Sequence, residues 1–315
     1  MIKAKRILGT WLGIACAAMI VFTMGSAQAA DPLVDVEWVK SNSAKSGIIT
    51  VDARGKADYL RGHIPGAVNT NYGKDGWRVA KGGVPGLFPD DTSKLAALIG
   101  GLGIDNATHV VLVAPGNNSS DMGIATRMYW TFKVLGHDNV SILNGGMSAY
   151  LSTKNKDGNP TNPLEKGAAK VTSKTFNVAL RKDMIPSTAD VKSALDRGVV
   201  MVDNRTADQY MGVNRHGKSK ASGTIPGATN MPQSWMTENG GGMFRSKDTI
   251  AKLYQAAGVP TSGEQISFCN TGHWASIGWF ASSEIIGNKD AKMYDASMTG
   301  WTAANMPVEA KIEVK

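Results

Sequence analysis

Cysteine is nearly absent from this chain. Its 315 residues include two, Cys16 and Cys269, and Cys16 falls in an apolar leader, so a disulfide within the mature protein is excluded. Histidine is scarce as well. The five imidazoles, His63, His109, His137, His216 and His273, fall at no ligand spacing, and there is no Cys-x-x-Cys-His for covalent haem, so neither a metal nor another cofactor is expected. Runs of like charge and basic stretches interleaved with aromatics are also missing, which excludes a nucleic-acid platform.

The leader has a basic head (Lys3, Lys5, Arg6), an apolar run from Ile7 to Met24, and the small-x-small site Ala27-Gln28-Ala29 just before Asp31-Pro32. That order predicts an export signal over residues 1–29, cleaved rather than kept as an anchor, and a periplasmic or secreted protein with no membrane attachment afterwards. Gly13 stands where a lipoprotein signal would prefer Leu, so Cys16 is not expected to carry lipid. Loss of the leader's three basic residues lowers the formal charge from +8 to +5, a mild excess that permits a small anionic substrate. A single thiol kept in an oxidising compartment points to reactivity rather than cross-linking.

What the chain does have is a duplicated layout. Ile48 to Arg54 precedes Gly62-His63-Ile64-Pro65-Gly66-Ala67; Val199 to Arg205 precedes Gly223-Thr224-Ile225-Pro226-Gly227-Ala228, with an insertion over Val213 to Ser222. In each half there follow a helical stretch (Leu95 to Gly103, Ile250 to Gly258), an apolar strand (His109 to Ala114, Gln265 to Phe268) and a longer helix (Gly123 to Leu135, Ala275 to Ile286). A closing strand and turn complete each (Val140 to Met147, Ala291 to Met298). Short apolar strands alternating with helices predict an α/β fold, a mostly parallel sheet flanked by helices in each half. The predicted units are residues 30–151 and 176–315, joined by a polar linker over 152–175.

Cys269 ends the second apolar strand and precedes Asn270-Thr271-Gly272-His273-Trp274, at the start of a helix. The thiolate is the nucleophilic form of cysteine, and it is favoured where backbone N–H groups and the positive end of a helix face the sulfur. The other reading is a cysteine packed as a small hydrophobe.

Asp-x-Arg, then Gly-His-Ile-Pro-Gly-Ala, then strand-Cys-loop-helix, in duplicate, resembles the two-domain rhodanese-like sulfurtransferases. The closing Tyr294-Asp295-Ala296-Ser297 with Trp301 is similar to that family's last turn. The resemblance implies tandem rhodanese-like domains, the first non-catalytic because Pro115 stands opposite Cys269. It implies transfer of sulfane sulfur from a small anionic donor, thiosulfate or 3-mercaptopyruvate, through a Cys269 persulfide to cyanide or a thiol. It also implies substrate contacts from Asn270, Thr271, Gly272, His273 and Trp274, and from an arginine of the insertion, which Arg215 matches; Arg205, His216 and Lys218 are the other candidate cations. The family's thiosulfate-preferring members carry Arg then Lys after the cysteine, and its mercaptopyruvate-preferring members a Gly-led loop. Asn270 to Trp274 matches neither, so the donor stays open. Arg54 and Arg205 are expected to pair with Asp near their strand ends. A Cys-x5-Arg phosphatase is disfavoured because position 275 is Ala. A non-turnover persulfide carrier or binding protein serving a partner protein is the alternative, and a monomer is expected.

Overall fold

The computed structural model describes residues 30–314; the predicted leader and Cys16 lie outside the described residues. The first half runs β1 (Leu33–Val34), α1 (Val36–Asn42), β2 (Ile48–Asp52), α2 (Lys56–Arg61), β3 (Val68–Asn69), β4 (Val79–Lys81), β5 (Val84–Leu87), α3 (Thr92–Gly101), β6 (His109–Val113), α4 (Ser119–Val134), β7 (Val140–Leu143) and α5 (Gly146–Tyr150). The second half repeats the pattern as α6 (Thr188–Asp196), β8 (Val200–Asp203), α7 (Ala207–Met211), β9 (Thr229–Asn230), α8 (Lys247–Ala257), β10 (Gln265–Phe268), α9 (His273–Phe280), β11 (Ala291–Met293) and α10 (Ser297–Ala303).

Both sheets are parallel throughout. The first has the order β1-β7-β6-β2-β3 and the second β11-β10-β8-β9, so β7-β6-β2-β3 and β11-β10-β8-β9 are copies. β4 and β5 form a separate antiparallel hairpin; among the described residues the second half has in its place a single antiparallel bridge, Thr237 to Phe244. Parallel sheets need apolar cover on both faces, which is why β6 and β10 are buried along nearly their whole length.

The long helix of the first half starts at Ser119, earlier than the apolar run predicts. Asn118 caps it by accepting from the Asp121 N–H, and a polar first turn, Ser119-Ser120-Asp121, precedes the buried stretch. Its counterpart starts at His273 and passes after Phe280 into a wider π turn over Ala281–Ile286. α4 and α9 pack on each other, Thr126 and Ser276 sharing a 2.7 Å hydroxyl contact, and one apolar cluster runs from Val51 and Leu112 through these helices to Phe280 and Met293. Helices buried nearly all round can have this interior position and no other. The linker is exposed but not loose: His63 N–H donates to Glu165 O and Lys174 N–H to Gly100 O, holding it against the first half.

Candidate active site

Cys269 lies one residue beyond β10, at the carboxyl edge of its sheet. It is the free cysteine of the described residues and is 1% exposed, at the floor of a cavity of about 310 Å³ walled by both halves. Parallel sheets place their sites beyond the carboxyl ends of the strands.

The loop is shaped by what holds its carbonyls. Cys269 O accepts from Met298 N (3.0 Å), Asn270 O from Thr299 N (3.1 Å) and Oγ1 (2.7 Å), and Gly272 O from Arg127 Nη1 (3.3 Å). In a planar trans peptide the N–H points opposite to the preceding carbonyl, so the amides of Asn270, Thr271 and His273 face away from these clamps. Ser297 Oγ takes two further amides, Cys269 N at 3.0 Å and Gly272 N at 3.2 Å, and gives its own proton to Tyr294 O at 2.8 Å; Cys269 Sγ is 3.9 Å away. Ser297 adopts φ 49°, a left-handed conformation that costs a non-glycine residue about 1–3 kcal/mol and aims this hydroxyl under the loop. Gly272 ends the loop at φ 74°; a Cβ there would run into the Arg127 guanidinium and come within 2.7 Å of Asp295 O.

Each predicted loop residue has a definite place. Asn270 Nδ2 donates to Gln209 Oε1 (2.8 Å), while its Oδ1 is buried without a partner among the described residues. Thr271 lines the cavity. His273 Nε2 donates to Ser120 O (2.9 Å) and its Nδ1 accepts from the Tyr72 hydroxyl (3.2 Å), so both ring nitrogens are engaged by the first half. Burial, with Arg78 and Arg127 adding to it, lowers the His273 pKa to about 4, and the ring is neutral at pH 7. Trp274, half-buried, donates from Nε1 to Ser120 Oγ at 2.9 Å, packs against the core and lines the cavity.

Arg215 is held elsewhere. Its Nη1 donates to Ser219 O within the insertion, and it is not among the cavity-lining residues, whereas His216 beside it is. Burial and Lys218 lower the pKa of His216. Arg54 and Arg205 pair as expected: Arg205 Nε donates to Asp203 (2.9 Å) and Nη2 to Gly223 O (2.8 Å), and Arg54 binds Asp52 and Gly62 O in the same way.

The first half supplies a wall of the cavity, as its packing against the loop leads one to expect, but sequence reasoning named none of the residues that form it. Arg78, Tyr72 and Ser120 reach the Cys269 loop and its cavity from the segment after the Gly-His-Ile-Pro-Gly turn and from the start of α4. Arg127, on α4 and fully buried, also binds Gly86 O (3.1 Å) and pairs with Asp295, whose other oxygen accepts from Phe88 N (2.6 Å). The aligned halves carried no signal for these contacts, because they join positions that do not correspond in the repeat. Ser297 was within reach, since the Tyr294 to Ser297 turn stands out in the sequence.

The Rhodanese-like domain family model matches residues 35–153 and 187–304. A Mycobacterium bovis protein named "Putative thiosulfate sulfurtransferase 1" is 30% identical over 295 residues, covering 90% of this chain and 98% of that protein. The sulfur carrier protein TtuD of Thermus thermophilus is 29% identical over 279 residues, covering 85% of this chain and 93% of its own. Among solved structures, SseA of Escherichia coli, described as a 3-mercaptopyruvate sulfotransferase, superposes with a TM-score of 0.69 at 23% identity, over 85% of this chain and 99% of that one; at that identity the likeness carries the fold alone.

Proposed function

The chain belongs to the rhodanese-like family in both halves and is a sulfurtransferase of that family, and from that premise we propose that its second half moves sulfane sulfur from a small anionic donor through a persulfide on Cys269. One observation carries the reading: the free cysteine stands at the end of a parallel strand and the start of a helix, on the floor of the cavity between the halves. The Cys269 thiolate attacks the outer sulfur of thiosulfate; the sulfur–sulfur bond breaks and sulfite leaves with the electron pair. With 3-mercaptopyruvate a carbon–sulfur bond breaks, and the enolate of pyruvate leaves and takes up a proton. Cyanide or a thiolate then attacks the outer persulfide sulfur, and Cys269 departs as thiolate, closing a ping-pong cycle. Amides turned away from the clamped carbonyls, with the amino end of α9, are suited to hold the negative charge of thiolate and persulfide in turn.

The test is steady-state product release from each donor, with cyanide or dithiothreitol as acceptor, for wild type and Cys269→Ser. Turnover with at least one donor, abolished in the variant, is expected; equal turnover in the variant would exclude a Cys269 persulfide. Likeness to a named sulfur carrier favours a second reading, delivery of the persulfide to a partner protein. A stoichiometric persulfide that forms without turnover would select it. The leader makes export part of the proposal, and a mature amino terminus at Ala30 in protein from the native host is the result expected.

A further inference from the structure

The cavity over Cys269 is walled by one permanent cation, and it comes from the half without the cysteine. Arg78 precedes β4, and its guanidinium carbon lies 4.8 Å from the centroid of the Tyr72 ring, whose hydroxyl holds His273. Stacking of this kind occupies a face of the guanidinium and leaves its in-plane N–H donors free. Among the described residues Arg78 Nη1, sealed from solvent, has no hydrogen-bond partner, and no carboxylate lies within ion-pairing distance of Arg78. The two imidazoles of the cavity offer no competing charge at neutral pH, both being shifted toward the neutral form by burial. A cation that walls the cavity over a reactive thiol and carries a buried, unpaired N–H has a vacant half of a charge-assisted hydrogen bond.

We propose that Arg78 is the residue that recognises the anionic end of the sulfur donor, the oxyanion of a sulfonyl or carboxylate group, so that the non-catalytic half sets the charge specificity of the catalytic one. This rests on the sulfurtransferase reading of Cys269, in which the donor enters this cavity. It gives to the first half the task that sequence reasoning gave to Arg215, whose Nη1 is bound to Ser219 O.

The test uses the mature protein and two alkylating probes of almost the same shape, anionic iodoacetate and neutral iodoacetamide. Their rates of reaction with Cys269 are followed by intact mass. In Arg78→Gln the iodoacetate-to-iodoacetamide rate ratio should fall roughly tenfold while the iodoacetamide rate holds, a fall typical of losing one charged recognition group. Arg78→Lys should give an intermediate ratio, because the charge remains and the fork is lost. An unchanged ratio in Arg78→Gln, or an equal fall in both rates, overturns the proposal. Alkylation needs the thiol but no turnover, so a wild type that fails to turn over thiosulfate or 3-mercaptopyruvate would sink the sulfurtransferase reading and leave this measurement legible.

Discussion

His273 carries the cost of closing the site. Ser120 O accepts from one ring nitrogen and the Tyr72 hydroxyl donates to the other, which selects a neutral tautomer, while Arg78 and Arg127 oppose any added charge. With a native pKa of about 4 against 6.5 for the free side chain, the unfolded chain binds the proton first as pH falls. The stability this residue contributes is therefore complete above about pH 6.5 and drains away down to about pH 4. Urea midpoints followed across that window should drop more steeply in wild type than in His273→Gln, which keeps the size and loses the titration. Parallel curves would mean that other groups govern the acid limb. At this scale the sequence was legible for Cys269, whose strand-loop-helix setting is a local pattern, and for the Asp-x-Arg pairs, which bond two residues apart. It was silent on Arg78 and Tyr72, because Tyr72 takes its place from a contact with His273 of the other half and Arg78 from stacking on Tyr72.

The β4–β5 hairpin is an element that brings the first half onto the Cys269 loop. Strands, helices and their repeat could be read from apolar periodicity, but β4 is exposed at all its positions and has no such period. The start of α4 was missed for a related reason, a polar capped turn ahead of the apolar run. Gly86 in β5 is where the hairpin touches: it sits at φ 83°, and a Cβ on it would come 2.7 Å from Thr271 O and 3.3 Å from Arg78 Nη1. Gly86→Ala should destabilise by about 1–3 kcal/mol, combining left-handed strain with overpacking, and should lower turnover by moving the loop. Gly82→Ala, in the same hairpin at φ 58° with nothing within 4 Å of its Cβ, carries the strain alone. Its turnover should stay near wild type; equal losses in the two variants would refute the contact argument.

The two halves grip each other reciprocally, and the grip is unequal where chemistry is assigned. Phe88 N donates to Asp295 at 2.6 Å and Phe244 N to Asn144 at 2.8 Å, so the same segment of each half crosses to the closing turn of the other. The duplication was plain in the sequence, but this crossing was not, since a residue's partner lies 100 or 207 positions away. Thr126 and Ser276 meet at the helix contact 150 positions apart, and the same offset sets Arg127 against Ile277. At this pair of positions the first half thus carries a buried cation, Arg127, where the second carries Ile277, and Arg127 pairs with Asp295 and holds Gly272 O at the end of the loop. Removing one partner of a buried pair typically costs about 3–5 kcal/mol, because the other is left charged and unpaired. Arg127→Met and Asp295→Asn should each lose stability on that scale, and together lose at least about 1 kcal/mol less than their sum. Arg127→Met should also lower turnover at temperatures where it remains folded, because Gly272 O then lacks its donor and the loop amides lose their fixed direction. Additive losses in urea denaturation would show that the pair does not act as a unit, and full turnover in folded Arg127→Met would confine it to holding the halves together.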